Sequence, residues 1–190
     1  MMTVRHLSSE ELEQGLDIVR KSPKNEGLLE LIVRRPQINE REVLSEGTID
    51  LVGGLSGDTW KPRGCVRTPD GSAHPEMQIT LMNSRVIGLL AQVKEHWPLA
   101  GDQLYVDMDL SIENLPAGTR VLLGETILEI TSEPHPGCKK FTERFGLEAN
   151  RFVNSPIGKS LRLRGLNAKV IQPGVISTGD VLQKQSLSET

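Results

Sequence analysis

From residue 104 onward, turn residues divide the chain into short apolar segments, and this pattern constrains the fold more than any other feature. Residues 104–110 alternate apolar and polar side chains, with Tyr105, Asp107 and Asp109 on the polar side. That period of two is typical of a β-strand with one polar face. Other short strands are predicted at residues 28–33, 78–82, 121–123, 126–131, 161–165, 168–171 and 181–182. Short strands separated by turns are typical of a closed or nearly closed β-barrel.

Two longer helices are predicted in the first half of the chain, and both fit the outside of such a barrel. Ser8 followed three residues later by Glu11 has the form of a capping box, and apolar residues then recur at helical spacing. Asn83 or Ser84 begins a second helix with apolar residues at positions 86, 89, 90 and 93. Residues 38–45 are ambiguous and are interpreted as a helical turn. We therefore predict a mainly β fold, a β-barrel with a few peripheral helices.

The length of the chain, 190 residues, is most simply that of one domain. We divide it into an N-terminal extension of helix and strand at residues 1–46, a barrel at residues 47–183, and a frayed polar tail at residues 184–190. The extension is expected to be part of the same globule as the barrel. Only 3% of the residues are aromatic, so the core must consist largely of leucine, isoleucine and valine.

Charge and hydropathy predict a protein that binds neither nucleic acid nor membrane. The net charge of −3 gives no reason to expect a nucleic-acid-binding surface over the whole molecule. The longest apolar run, at residues 86–91, is far too short to span a bilayer, and residues 1–11 lack the apolar core of a signal peptide. We expect a cytoplasmic protein whose thiols are reduced.

The chain has two cysteines, and their number and spacing form neither a disulfide framework nor a metal motif. Cys65 lies in a segment rich in proline, glycine and arginine at residues 61–75, which predicts a loop that reaches over a site. A second reactive thiol and a disulfide partner of Cys138 are two roles open to Cys65, and the sequence favours neither of them.

Cys138 lies in a loop framed by proline and glycine, three residues after His135 and directly before Lys139 and Lys140. Neighbouring positive charge favours the thiolate, which is the form that attacks electrophiles or binds metals. The alternative is an unpaired cysteine that only fills space, since free cysteine is among the most buried residue types.

The segment from His135 to Arg164 is strongly basic, with a charge of +5 in a chain whose net charge is −3. It also contains all three phenylalanines of the chain. Arginine and lysine bind phosphate and carboxylate groups, and a phenylalanine face is available for stacking. The segment therefore predicts a site for a small anionic ligand. Its basic residues are Lys139, Lys140, Arg144, Arg151, Lys159, Arg162 and Arg164.

Several stretches, in this order along the chain, resemble the MOSC domain, which is the C-terminal domain of molybdenum cofactor sulfurases. The resemblance covers roughly residues 47–183 and rests on the order of the stretches, because none of them alone is very specific. They are a Gly-x-x-Gly-Asp entry at 54–58, then AGDQLYVDMDLS at 100–111, ENLP at 113–116, GE at 124–125, LEIT at 128–131, HPGCKKF at 135–141, RGLNAKV at 164–170, PGVI at 173–176 and GD at 179–180.

The resemblance implies a β-barrel similar to that of pyruvate kinase, with Cys138 at the position of the family's cysteine. That cysteine carries a persulfide sulfur or ligates the molybdenum of a bound pterin cofactor, so Cys138 is the predicted catalytic residue and the predicted metal ligand. Molybdopterin carries a phosphate and a flat ring system, and sulfur is a suitable soft ligand for molybdenum. By position we add five candidate contacts for the anionic cofactor: His135, Lys139, Lys140, Arg144 and Arg164.

The chain also departs from the larger members of the family. Cofactor sulfurases carry a pyridoxal-phosphate domain that takes sulfur from cysteine, and 190 residues leave no room for it. Amidoxime-reducing members carry an additional N-terminal region, whereas here about 45 residues precede the resemblance. We therefore expect any sulfur to come from a separate, cysteine-desulfurase-like donor that uses pyridoxal phosphate, and any electrons from a separate reductase.

Three functions follow as alternatives, and the sequence leaves open whether the protein is an enzyme. The leading one is a MOSC protein that binds a molybdenum–pterin cofactor, or carries persulfide sulfur on Cys138, in cofactor maturation. The second is a small molybdenum-dependent reductase of N-hydroxylated compounds that works with partner reductases. The third is a non-catalytic barrel in which Cys138 is only structural.

Overall fold

The computed structural model of the chain describes residues 4–185. The strands are, in chain order, β1 (Glu26–Arg34), β2 (Glu42–Leu44), β3 (Glu46–Asp50), β4 (Gly54–Leu55), β5 (Ile79–Asn83), β6 (Leu104–Asp107), β7 (Arg120–Leu123), β8 (Thr126–Ile130), β9 (Leu166–Gln172), β10 (Gly174–Ser177) and β11 (Val181–Lys184). The α-helices are α1 (Ser9–Val19), α2 (Trp60–Arg63), α3 (Ser84–Ala91), α4 (Lys139–Phe145), α5 (Leu147–Asn154) and α6 (Pro156–Ser160). Two 3-10 helices lie at Pro75–Met77 and Lys94–Ala100. Of the predicted tail, residues 186–190 lie outside the described residues.

Seven strands form a closed barrel in the order β1-β6-β5-β9-β8-β7-β11, and β11 pairs again with β1. The pair β5–β6 is parallel and the other pairs are antiparallel. A short antiparallel pairing of β1 with β11 closes the barrel, and it runs from Glu26 opposite Gln183 to Leu28 opposite Val181. Strand β2 lies outside the barrel and pairs with β1 in antiparallel orientation. Strands β10, β3 and β4 form a separate small sheet. The predicted mainly β barrel with a few helices is confirmed.

Strand β5, most of β6 and the second half of β1 are buried on both faces, because the inside of the barrel and the helices outside it form two separate cores. In β1, Leu29 and Ile32 belong to the inner core, whereas Leu31 and Val33 belong to the core under the helices. A register shift between Leu29 and Leu31 accompanies this change of face. The inner core is aliphatic, with methionine as its only sulfur-containing residue, and the large rings lie in the outer core. A barrel of few strands leaves a narrow interior, which branched aliphatic side chains fill well.

The two predicted longer helices are present, and their caps explain where they begin. The Ser8 side chain accepts from the backbone N–H of Glu11, whose carboxylate accepts from the Ser8 N–H, so the predicted capping box is confirmed at α1. Asn83 caps α3 through its Oδ1 and donates through Nδ2 to Ser22 and to the Met108 carbonyl. Asn83 therefore both starts a helix and ties it to neighbouring segments.

Three sequence interpretations were wrong, each because a local pattern did not reveal the tertiary partner. Residues 38–45 contain strand β2, paired to β1, rather than a helical turn. Residues 161–165 are turns after α6 rather than a strand, with Arg162 at φ 48° and Gly165 at φ 106°. Tyr105 is fully buried rather than part of a polar solvated face, because the helices cover that side of β6.

The helices in the described part of the chain are too short or too polar to cross a membrane.

Candidate functional site

Four arginines converge on one short stretch of backbone at the end of the 3-10 helix Lys94–Ala100. The stretch is held in place by Tyr105, whose hydroxyl donates to the Trp97 carbonyl at 2.9 Å. Its carbonyls at positions 98, 99, 100 and 101 accept, in that order, from the guanidinium groups of Arg41, Arg144, Arg164 and Arg35 at 3.2, 2.6, 3.0 and 3.0 Å. We name these four residues the arginine cluster. Carbonyl groups orient a guanidinium but do not neutralise its charge.

Two members of the arginine cluster have buried carboxylate partners. Arg35 forms a bidentate pair with Asp58, with its Nε and Nη2 atoms at 2.8 and 2.7 Å from the two carboxylate oxygens. Arg164 donates from Nη1 to Asp102 Oδ2 at 2.6 Å and lies 5.0 Å from the centre of the Phe141 ring. These two pairs are electrically neutral and hold the strand ends together.

The other two members, Arg41 and Arg144, form no ion pair with any residue between 4 and 185. Burial lowers the pKa of the Arg41 guanidinium, and the positive charges of Arg144 and Arg35 lower it further. A desolvated cation beside other cations is stabilised by an anion. The arginine cluster therefore carries excess positive charge and is suited to bind phosphate or carboxylate.

The loop that carries Cys138 is anchored to the same region through His135. Its Nε2 lies 2.7 Å from Asp102 Oδ1, so one fully buried carboxylate binds both His135 and Arg164. Burial alone would raise the pKa of Asp102, but the Arg164 charge and the His135 hydrogen bond outweigh it and hold that pKa below its ordinary value. Burial and the Arg164 charge lower the pKa of His135. A neutral imidazole that donates from Nε2 to an ionised carboxylate satisfies both groups.

Cys138 itself is an exposed, free cysteine that immediately precedes α4. Its carbonyl accepts from the Thr142 backbone N–H at 3.0 Å and from Asn150 Nδ2 at 3.2 Å. The preceding Gly137 donates to Asn154 Oδ1 at 3.0 Å. Side chains of α5 therefore fix the backbone of the loop while the thiol stays open to solvent.

The five predicted anion contacts occupy three different settings. Lys139 and Lys140 are exposed at the start of α4, and Lys140 Nζ is 3.4 Å from Asn39 Oδ1. Arg144, on the same helix, belongs to the arginine cluster. His135 and Arg164 are both bound to Asp102. Their contact with an anionic cofactor stays a prediction.

The phenylalanines were expected to offer a ring face for stacking, and for two of them this is wrong. Phe141 and Phe145 are 2% exposed and pack against each other in the helix-covered core, with ring centres 4.9 Å apart. Their spacing of four residues on α4 directs both rings to the same side of the helix, toward the barrel.

Sequence reasoning missed Arg35, Arg41 and Asp58, which lie far from Cys138 in the chain. A signal for part of this set was present, because Gly57-Asp58 and Gly101-Asp102 are similar dipeptides and each aspartate binds a buried arginine. The positive φ of both glycines, 79° and 90°, turns the backbone directly before the aspartate.

A family model of the MOSC domain matches residues 72–183, which is more than half of the chain. The chain belongs to the MOSC domain family. Within this MOSC domain lie Asp102, His135, Cys138, Arg144 and Arg164, whereas Arg35, Arg41 and Asp58 come from the part that precedes the match. The comparison with curated proteins finds no match.

Solved structures share the fold of this MOSC protein. The YUAD protein of Bacillus subtilis has 21% identity and a TM-score of 0.56, over 84% of this chain and 97% of that one. YiiM of Escherichia coli has 19% identity and a TM-score of 0.53, over 86% and 72%. YiiM of Geobacillus stearothermophilus has 14% identity and a TM-score of 0.55, over 84% and 75%. At these identities the likeness shows the fold alone.

We expect the free energy of unfolding of this MOSC protein to fall as the pH drops below about 6.5, the ordinary pKa of histidine. The folded state holds the pKa of His135 below that value, so the unfolded chain binds more protons in this range and gains stability on acidification. Asp102 also makes the free energy of unfolding fall on acidification, at pH values below about 3.9, because the folded state holds its pKa below the ordinary value.

Urea unfolding at pH 7.5 and pH 5.5 measures the effect in the wild type and in His135→Asn. The variant should lose about 1 kcal/mol of the pH dependence of the free energy of unfolding. Equal pH dependence in wild type and His135→Asn would contradict the assignment.

Proposed function

We propose that this MOSC protein uses the Cys138 thiol to carry sulfur, or to bind the molybdenum of a pterin cofactor, in cofactor maturation. One observation carries the proposal: the exposed, free thiol precedes the helix whose Arg144 belongs to a cluster with excess positive charge. Exposure makes the thiol accessible to a partner protein.

The residues present fit a molybdenum–pterin cofactor. The phosphate of such a cofactor needs cations that lack carboxylate partners, and Arg41 and Arg144 are of this kind. A thiolate is a suitable soft ligand for molybdenum, and Cys138 has no disulfide partner that would compete. When bound, the metal would supply two-electron redox chemistry. The protein would orient the cofactor by fixing the Cys138 backbone and the four guanidinium groups.

As a sulfur carrier, the Cys138 thiolate would attack the outer sulfur of a donor persulfide. The sulfur–sulfur bond of the donor would break, its electron pair would leave with the donor thiolate, and the transferred sulfur would remain on Cys138 as a persulfide. Lys139 and Lys140 directly follow Cys138 in the chain, and both are exposed. The donor would be a separate cysteine-desulfurase-like protein that uses pyridoxal phosphate.

A second candidate is a small molybdenum-dependent reductase of N-hydroxylated compounds with separate reductase partners. It is favoured by a cavity of about 240 Å³ next to the Cys138 loop, lined in part by His135, Pro136 and Arg164. A cavity of this size suits a small substrate. Copurified molybdenum together with turnover of a hydroxylamine-type compound would favour this candidate over the sulfur carrier.

The experiment that tests the proposal is an intact mass of gently purified protein before and after treatment with a thiol reductant. We expect a reducible added sulfur that peptide mapping places on the peptide with Cys138, or stoichiometric molybdenum and pterin. Protein that lacks all three, even after incubation with a persulfide donor and with the isolated cofactor, would overturn the proposal and favour a structural cysteine.

A further inference from the structure

A compact loop at residues 64–72 follows α2 and closes on itself through its own hydrogen bonds. The Cys65 N–H donates to the Gly71 carbonyl at 3.2 Å, and the Thr68 hydroxyl lies 2.7 and 2.6 Å from the carbonyls of Cys65 and Ser72. Gly64, at φ 66°, forms the narrow neck of the loop, because a side chain there would overlap the Gly71 carbonyl. These contacts are internal, so they stay intact when the loop moves as a unit. We name residues 64–72 the lid.

The lid forms one wall of a second cavity, of about 450 Å³. Cys65 and Val66 of the lid line this cavity together with Arg35, a member of the arginine cluster. The cavity is also lined by Asn167, whose Nδ2 holds the backbone of the Cys138 loop through the carbonyls of Glu133 and Pro134. The lid therefore covers part of the same site to which the arginine cluster and Cys138 belong.

A single ion pair ties the lid to the Cys138 loop. Arg67 Nη1 donates to Glu133 Oε2 at 3.0 Å. Among residues 4–185, no other hydrogen bond joins the lid to a residue outside positions 61–77. His74 Nε2 lies 3.8 Å from the other carboxylate oxygen of Glu133, which is too long for a hydrogen bond. We name the pair Arg67–Glu133 the latch.

The latch is weak, whereas the segments on both sides of the lid are firmly held. Arg67 and Glu133 are 45% and 25% exposed, and ion pairs at the surface contribute little and are screened by salt. Before the lid, Trp60 is buried, and after it the Glu76 carbonyl accepts from the Thr131 hydroxyl at 2.7 Å. A compact loop held by one surface ion pair between two anchored ends opens at low cost.

We propose that the lid opens by breaking the latch, and that its opening admits the anionic cofactor to the arginine cluster. The inference rests on the proposed function, since it gives the ligand of that same site its route of entry. The latch joins two protein side chains and does not hold the ligand. Its loss therefore speeds entry and release by the same factor and leaves the affinity unchanged.

The first test uses Arg67→Gln in the protein without cofactor. We expect a bulky maleimide to alkylate the half-buried Cys65 about threefold faster than in the wild type, because the latch no longer favours the closed lid. Peptide mapping resolves Cys65 from Cys138. The backbone amides of the lid should also exchange with deuterium faster. The reversed pair, Arg67→Glu with Glu133→Arg, should restore the wild-type rates.

Arg120→Gln is the matched control, because it breaks a surface ion pair of similar length, 3.1 Å to Glu129, and Arg120 lines neither cavity. Its Cys65 should react at the wild-type rate. The latch is disproved if Arg67→Gln and Arg120→Gln behave alike, or if the reversed pair reacts as fast as Arg67→Gln.

The second test measures uptake and release of the isolated molybdenum–pterin cofactor. In Arg67→Gln we expect both rate constants to rise about threefold while the Kd stays at the wild-type value. Faster alkylation of Cys65 with unchanged uptake would overturn the role of the lid in admitting the cofactor. If no variant and no wild-type protein binds the cofactor, the proposed function fails, and alkylation of Cys65 still decides whether the latch holds the lid.

Discussion

Replacing Cys138 by alanine is expected to abolish loading with sulfur or molybdenum while the protein remains folded. The thiol is exposed, and the contacts of this residue with α4 and α5 run through its backbone carbonyl, which alanine retains. Sulfur and molybdenum per chain, measured after incubation with a persulfide donor or with isolated cofactor, report the loading. Thermal unfolding reports the fold.

Cys65→Ala is the control for that substitution, because it removes the only other thiol and leaves the Cys138 loop unchanged. It should load as fully as the wild type. Undiminished loading of Cys138→Ala would show that Cys138 is not the carrier, and the central proposal would fail.

The substitution Asp102→Asn is expected to lower the free energy of unfolding by about 3–5 kcal/mol, which is typical of breaking a buried ion pair from one side. The carboxylate is fully buried and accepts from both Arg164 and His135. The asparagine side chain has the same shape but no charge, so it cannot neutralise the buried Arg164 guanidinium. Its amide nitrogen would also face an N–H group of Arg164 or His135, and two donors cannot bond to each other. Denaturant unfolding at pH 7.5 measures the change.

The comparison for this second substitution is Asp109→Asn. Asp109 is half-buried, and its carboxylate accepts a single backbone hydrogen bond, from Ser111. We expect Asp109→Asn to lower the free energy of unfolding by about 1 kcal/mol. Similar costs at the two positions would mean that the Asp102 pair contributes little to stability, and its role in holding the Cys138 loop would need another explanation.

Much of the barrel could be predicted because its strands are short, regularly spaced and bounded by turn residues. Periodicity in residues 104–110 predicted a strand, and β6 occupies Leu104–Asp107 of that range. The pattern could not show that helices cover the outer face of the strand. The same limit explains Tyr105, whose hydroxyl looks solvent-exposed in an alternating pattern and is in fact bonded to a buried carbonyl. Alternating apolar and polar residues show which side chains share a face of the strand, but they do not show whether solvent or protein covers that face.

The candidate site could be predicted only where its residues are close in the chain. His135, Cys138 and Arg144 lie within ten positions of one another, so composition alone drew attention to them. Arg35 and Asp58 reach the same region by long-range packing, through the end of β1 and the turn after β4. Pairing of strands distant in sequence decides such contacts, so the local Gly57-Asp58 pattern does not show which arginine the aspartate binds.

Closure of the barrel by its first and last strands has a consequence for the order of events during synthesis on the ribosome. Strand β1 needs β11 as one of its neighbours, and β11 spans only Val181–Lys184. Until those four residues emerge, β1 and β7 each keep an open hydrogen-bonding edge. Open edges on nascent chains are sites of mispairing, so the interval between translation of β1 and of β11 is when this protein most needs protection by chaperones.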